Sequence, residues 1–127
     1  MAGEKILFAE DEPDIQKVIK VTLKFKGKFE VRFANNGVEA LQMVKEERPA
    51  LIILDVMMPK MDGYETCRQL KADAATADIP VVFLTAKAQE KEIEEGLALG
   101  AMDYLKKPFE PDEFVEKVRS ILQSLGH

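Results

Sequence analysis

The chain has 127 residues and a formal charge of −5, from 18 Lys and Arg against 23 Asp and Glu, with one cysteine and no tryptophan. That length suits one domain, spanning residues 1–127, that buries roughly two-thirds of its unfolded surface in a single core. The acidic balance without a Lys/Arg block argues against a nucleic-acid footprint, and the lone Cys67 excludes an intramolecular disulfide or a cysteine-based zinc site.

Cys67 reads as a small buried or half-buried thiol, in keeping with a reducing cytosol. Met1-Ala2-Gly3-Glu4-Lys5 runs straight into a short apolar stretch, Ile6–Ala9, too brief for a signal-peptide core or a membrane span. The chain therefore reads as soluble, unprocessed and cytoplasmic. Ile6–Ala9 is the first predicted strand, followed by Glu10-Asp11-Glu12-Pro13-Asp14, with Pro13 placed to open a helix striped by Ile15, Val18, Ile19 and Leu23. After Gly27, Phe29, Val31 and Phe33 alternate with Glu30 and Arg32, which predicts a strand with one wetter face at a sheet edge. Gly37 precedes a helix carrying Val38, Leu41 and Val44. Pro49 then gives way to the apolar run Ala50–Leu54, a strand buried on both faces that delivers Asp55 to its carboxyl end.

Past Gly63, Tyr64, Cys67 and Leu70 mark a third helix, and past Pro80, Val81–Leu84 is another fully covered strand that ends at Thr85-Ala86. Ile93 and Leu97 stripe a fourth helix, which Gly100 closes. Tyr104-Leu105 is a short fifth strand followed by Lys106-Lys107-Pro108-Phe109, and the last helix presents Phe114, Val118, Ile121, Leu122 and Leu125. Five alternating βα units without linker or repeat predict a doubly wound α/β fold, with the three uninterrupted apolar strands at its centre.

In such a sheet, ligands bind at the carboxyl ends of the strands. Asp55 there can cap a turn, accept hydrogen bonds, bind a cation or act as a nucleophile. Glu12 and Asp14 are accounted for by the dipole of the first helix, worth roughly 0.3–1 kcal/mol. Glu10 and Asp11 differ, because they leave the strand expected beside the one that ends in Asp55. Three carboxylates at one edge raise each other's proton affinity and favour a cation, and oxygen-only ligands with room for water and phosphate point to Mg²⁺. The hydroxyl of Thr85 and the ammonium of Lys107 reach the same edge. Metal carboxylates, a hydroxyl, a lysine and an isolated aspartate make the set that aspartyl-phosphate chemistry needs.

Glu10-Asp11, Leu54-Asp55-Val56-Met57-Met58-Pro59, Met61-Asp62-Gly63, Leu84-Thr85-Ala86, Gly100-Ala101, Tyr104 and Lys107-Pro108-Phe109 fall in order, at successive strand ends. Over essentially the whole chain this resembles a receiver domain of the two-component response regulators, similar to single-domain chemotaxis-type receivers. The resemblance implies a flavodoxin-like five-stranded parallel sheet of order 2-1-3-4-5 with five helices. It makes Asp55 the phosphoryl acceptor and Asp11 the direct Mg²⁺ ligand, with Glu10 assisting mostly through water and Met57 lending its backbone carbonyl. Thr85 and Lys107 would bind phosphoryl oxygens, Tyr104 would change rotamer as Thr85 moves, and Ala86 would stay small to admit the group. The implied donor is a phosphohistidine on a sensor histidine kinase or histidine phosphotransfer protein. The chain would catalyse only its own phosphoryl transfer and slow autodephosphorylation.

Two departures bear on rate: Glu10 stands where Asp is commoner, and Met57, with Lys87 two past Thr85, offers no group to orient a hydrolytic water. A long-lived phosphoryl state follows. An aspartyl phosphatase would resemble an Asp-x-Asp motif, which Met57 breaks. A nucleotide or flavin binder needs a glycine- or hydroxyl-rich first loop, where this chain has Glu10-Asp11-Glu12-Pro13. An interaction module that never uses its phosphate site would share the fold. The chain ends at Leu125-Gly126-His127 just past its last helix, so the expected output is contact with a downstream protein, without membrane or direct nucleic-acid binding. The resemblance places that contact on the fourth helix, fifth strand and fifth helix, including Lys91, Glu94, Glu95, Tyr104 and Lys106. DNA-binding relatives carry Arg on that helix for dimer salt bridges; Glu94-Glu95 predicts a monomer. His127 reads as solvent-exposed.

Overall fold

The strands are β1 (Lys5–Ala9), β2 (Glu30–Ala34), β3 (Leu51–Asp55), β4 (Val81–Thr85) and β5 (Asp103–Lys106). The helices are α1 (Pro13–Val21), α2 (Gly37–Glu46), α3 (Gly63–Ala72), α4 (Glu90–Ala98) and α5 (Pro111–Ser124). This is a computed structural model, which describes residues 4–58, 60–86, 90–107 and 109–126. Pro59, Lys87, Pro108 and His127, and the side chain of Lys91, lie outside the described residues.

All strand pairs are parallel and the order is β2-β1-β3-β4-β5. The uninterrupted apolar runs fill β1, β3 and β4, the three central strands, and the alternating segment forms the edge strand β2 as expected. Successive side chains go to opposite faces. Ile6, Phe8, Leu51, Ile53, Val82 and Leu84 pack on one side against α1 and α5, including Ile19, Phe114 and Val118. Leu7, Ala9, Ile52, Leu54, Val81 and Phe83 pack on the other with Ala40, Val44, Cys67 and Leu70 of α2 and α3. Each such buried Val, Leu, Ile or Phe side chain contributes about 1.5–3 kcal/mol, so the two layers fix the strand ends that carry the polar residues.

Local signals start the helices. Asn36 Oδ1 accepts from Glu39 N at 2.9 Å, and Asp62 Oδ1 from Glu65 N at 2.8 Å. Pro13 and Pro111 occupy first turns, where no N–H is missed. Cys67 is fully buried, and burial pushes its thiol pKa up.

Several helical expectations need correction. Val18, Val38, Leu97 and Leu125, assigned to buried stripes, are 46, 41, 45 and 37 % exposed. The layer over each sheet face admits a narrow strip, such as Ile19 and Leu23 from α1, and the adjoining apolar position turns outward. The helical segment does end at Gly27, as expected, but not as a regular α-helix. α1 continues as a π-helical stretch, Thr22–Lys26, closed by Gly27 N to Thr22 O at 3.2 Å. The left-handed residue is Lys28, at φ 59°. Gly27 is small for another reason: a Cβ there would sit 2.6 Å from the buried Phe29 ring.

Candidate functional site

Asp55 is the last residue of β3 and pairs in register with Leu84, which holds its buried carboxylate at the sheet's carboxyl edge. Its Oδ1 accepts from the backbone N–H of Met57 at 3.2 Å, and its Oδ2 accepts from Lys107 Nζ at 2.9 Å. Glu10 leaves β1 beside it, anchored by Glu10 N to Ala34 O at 2.9 Å and by Gln16, whose amide nitrogen donates to Glu10 O and to Asn35 Oδ1. Lys107 Nζ lies 2.9 Å from Glu10 Oε1 as well. That second contact is an ion pair without hydrogen-bond alignment, and Glu10 Oε1 has no hydrogen-bond partner among the described residues. Lys107 N donates to Thr85 O at 2.9 Å, which ties the lysine to the end of β4 and to the buried Thr85.

Glu10 and Asp11 are adjacent in sequence but unequal in place. Glu10 is fully buried, whereas Asp11 is exposed at the rim. One carboxylate oxygen from each of Glu10, Asp11 and Asp55 lies within 4.8 Å of the others. Burial first, and then the hydrogen bond with Asp55, raise the Glu10 pKa to about 7 against the opposing pull of Lys107. Burial works to lower the Lys107 pKa, but the hydrogen bond to Asp55 and the close Glu10 carboxylate outweigh it and the net shift is upward. Glu10 and Asp55 thus share one ammonium with Asp11 alongside, and among the described residues one buried Glu10 oxygen lacks a hydrogen bond. This donor set fits a hard divalent cation, which would hold the carboxylates ionised.

Met57 presents its N–H to Asp55 while its side chain is 78 % exposed. Tyr104 is half-buried on β5, its hydroxyl 3.2 Å from that of Tyr64 in α3. The sequence reading missed Tyr64 as a partner of Tyr104, because the two are far apart in the chain. It also passed over the reason for Gly63: a Cβ there would lie 2.5 Å from the Asp55 carbonyl oxygen. Only a bare Cα lets α3 begin so close behind the end of β3. Ala86, Lys107, Asp14, Ile15, Val18 and Phe109 line an apolar groove of about 470 Å³ beside the site.

An open parallel sheet with an aspartate, an acidic pair and a lysine gathered at its carboxyl edge defines the class as a doubly wound α/β domain with its polar cluster where such sheets place their ligand sites. The family model for the response regulator receiver domain matches residues 6–119, and the chain belongs to that family. Over 120 residues it is 42 % identical to the probable transcriptional regulator ycf27 of Pyropia yezoensis, covering 94 % of this chain and 48 % of that protein. It is 40 % identical over 126 residues to the phosphate regulon transcriptional regulatory protein PhoB of Pseudomonas aeruginosa, covering 99 % of this chain and 55 % of that protein. The chain thus spans about half the length of the curated relatives it matches.

Among solved structures, a putative response regulator from Chloroflexus aurantiacus superposes with TM-score 0.87 at 36 % identity, covering 95 % of this chain and 98 % of that one. The chemotaxis protein CheY4 of Vibrio cholerae does so with TM-score 0.87 at 31 % identity, covering 94 and 98 %. The expected fold and family both hold. No helix among the described residues is long and apolar enough to cross a membrane.

Proposed function

We propose that the chain is a phosphorylation-controlled signalling receiver that accepts a phosphoryl group on Asp55 from a phosphohistidine of a sensor histidine kinase or phosphotransfer protein, in a Mg²⁺-dependent reaction. The observation that carries this is the placement of one Asp55 oxygen on Lys107 and the other on the Met57 N–H, with Glu10 and Asp11 alongside. The carboxylate is aimed by two donors, so little reorganisation is needed as it attacks phosphorus and the P–N bond to the donor imidazole breaks. Lys107 is held where it can follow the negative charge from Asp55 to a phosphoryl oxygen. Thr85, at the adjacent strand end, would supply a hydroxyl to another. Glu10, Asp11 and Asp55, with the Met57 carbonyl, would hold Mg²⁺, which when bound supplies the counter-charge that lets an anionic phosphoryl group approach three carboxylates.

The apolar groove beside Lys107 suits the donor's docking, because Lys107 at its wall contacts Asp55 and the helix that lines it with Val18 also exposes Val21 and, further along its π-helical continuation, Phe25. The output surface is the face of α4, β5 and α5, where Glu94, Glu95 and Lys106 are exposed. The chain would act as a single receiver domain in the cytoplasm and, as a monomer, change its affinity for a downstream protein. Labelling with phosphoramidate, with and without Mg²⁺, tests the core of this reading. Wild-type protein should label only with Mg²⁺ and Asp55→Asn not at all; labelling indifferent to both changes would overturn it.

A further inference from the structure

We propose that Tyr64 is a positioning residue for the switch: with Gly96 it forms an inward socket that holds the Tyr104 ring. The inference rests on the reading of Tyr104 as the residue that changes rotamer. Tyr104 pairs in register with Phe83, so its side chain leaves the sheet on the face covered by α3 and α4, the same face as Thr85 two residues further along β4. Its ring lies 5.4 Å from that of Phe83, which in turn meets the Tyr64 ring edge-on at 5.0 Å.

The two tyrosine hydroxyls are 3.2 Å apart. On the α4 side the space exists only because residue 96 has no side chain. A Cβ on Gly96 would lie 2.1 Å from the Tyr104 hydroxyl and 2.9 Å from Phe83. Glycine inside a helix costs stability relative to alanine, and here the close approach of a phenol gives it a reason. Tyr64 directly follows Gly63, whose N–H donates to Val56 O at 3.0 Å. The hydroxyl that holds Tyr104 therefore stands on a helix start tied to the loop after the acceptor.

The chain has two tyrosines and no tryptophan, so its aromatic fluorescence and tyrosine ring resonances report on this pair. In Tyr64→Phe only Tyr104 remains. Losing one net hydrogen bond should lower the ratio of inward to outward Tyr104 about fivefold, read as a shift of its ring resonances toward exposed-tyrosine values and as stronger quenching by acrylamide. Gly96→Ala should move both readouts further the same way, because its Cβ would displace the Tyr104 hydroxyl end while pressing on the edge of the buried Phe83 ring, and its urea midpoint checks that the fold is kept.

A Tyr64→Phe protein that keeps the wild-type ring resonance and quenching, with only its urea midpoint lowered, would show a merely structural hydroxyl and overturn the proposal. So would a Gly96→Ala protein with Tyr104 unmoved. Adding beryllofluoride and Mg²⁺ to wild-type protein tests the underlying reading separately. A change in the tyrosine signals supports Tyr104 as the switch, and none removes that role while the socket remains measurable in the resting protein.

Discussion

Lys107 Nζ sits 2.9 Å from Asp55 Oδ2 and the same distance from Glu10 Oε1, so one half-shielded ammonium balances two buried carboxylates at the end of the central strands. Removing it leaves charge in a place that cannot solvate it. Lys107→Ala should destabilise the fold by about 3 kcal/mol in urea titration at neutral pH, because an uncompensated buried carboxylate remains. It should also slow phosphoramidate labelling of Asp55 about 10²-fold, the usual cost of deleting one donor to a developing oxyanion. Lys107→Arg should recover more of the stability than of the rate, since a planar fork restores charge but not the position of a single ammonium.

Glu10 gives the site a pH signature. Its pKa is about 7 in the folded chain against an ordinary value of 4.5, raised by burial, then by the hydrogen bond with Asp55, with Lys107 opposing. Between those values the folded state binds more protons than the unfolded state, so stability in EDTA should fall as pH rises from about 4.5 to about 7. Asp55, Asp11 and Lys107 face the same group, and the raised Lys107 pKa acts only in the alkaline range. Glu10→Gln should flatten the slope in that window. Mg²⁺ should add stability mainly above it, where the carboxylate is ionised, by mass action on the folded state. Chemical denaturation across that pH range, with and without Mg²⁺, measures both.

Gly63 tests whether the start of α3 shapes the acceptor. A Cβ there meets Asp55 O at 2.5 Å, Val56 Cα at 3.0 Å and Asp55 C at 3.1 Å, all backbone atoms that no side-chain rotation can clear. Gly63→Ala should therefore cost about 2 kcal/mol despite alanine's better helix propensity, as overpacking does, and should slow labelling of Asp55 by shifting its strand end. Gly100→Ala is the control. Its φ of +104° makes it costly too, about 1 kcal/mol or more, but it sits after α4 and should leave the labelling rate alone.

The sheet was legible because strands covered on both faces leave uninterrupted apolar runs, and the half-wet alternation of Val31 and Phe33 marks an edge. The strand order was supplied by the family resemblance, since pairing is non-local and periodicity carries no record of it. At the site, Asp55, Thr85 and Lys107 were legible as polar residues ending apolar strands, and the structure brings them to one edge. Three features were not. Glu10 and Asp11 read alike in sequence, yet one is fully buried and the other exposed, because successive side chains leaving β1 point opposite ways. The Tyr64 and Tyr104 hydroxyls meet only after α3 and β5 pack against Phe83. Gly96 likewise reads as a weak helix residue until the ring that needs its missing side chain is in place.

Met57 is expected to set how long a phosphoryl group on Asp55 would stay. Its backbone N–H is bound to Asp55 Oδ1 at 3.2 Å while its thioether side chain is 78 % exposed. Hydrolysis needs a water placed in line behind phosphorus, and a thioether is a weak acceptor that orients water poorly. A carboxamide at the same position keeps the N–H contact and adds a donor and an acceptor beside the incoming water. Met57→Asn should therefore shorten the phosphoryl half-life several-fold while leaving the rate of labelling nearly unchanged, since the Asp55 contacts with Lys107 and the backbone survive. Decay of radiolabelled protein after removal of the donor measures the first quantity, and initial uptake measures the second. Equal decay in wild type and Met57→Asn would move control of the lifetime away from this side chain and toward access through the neighbouring loops.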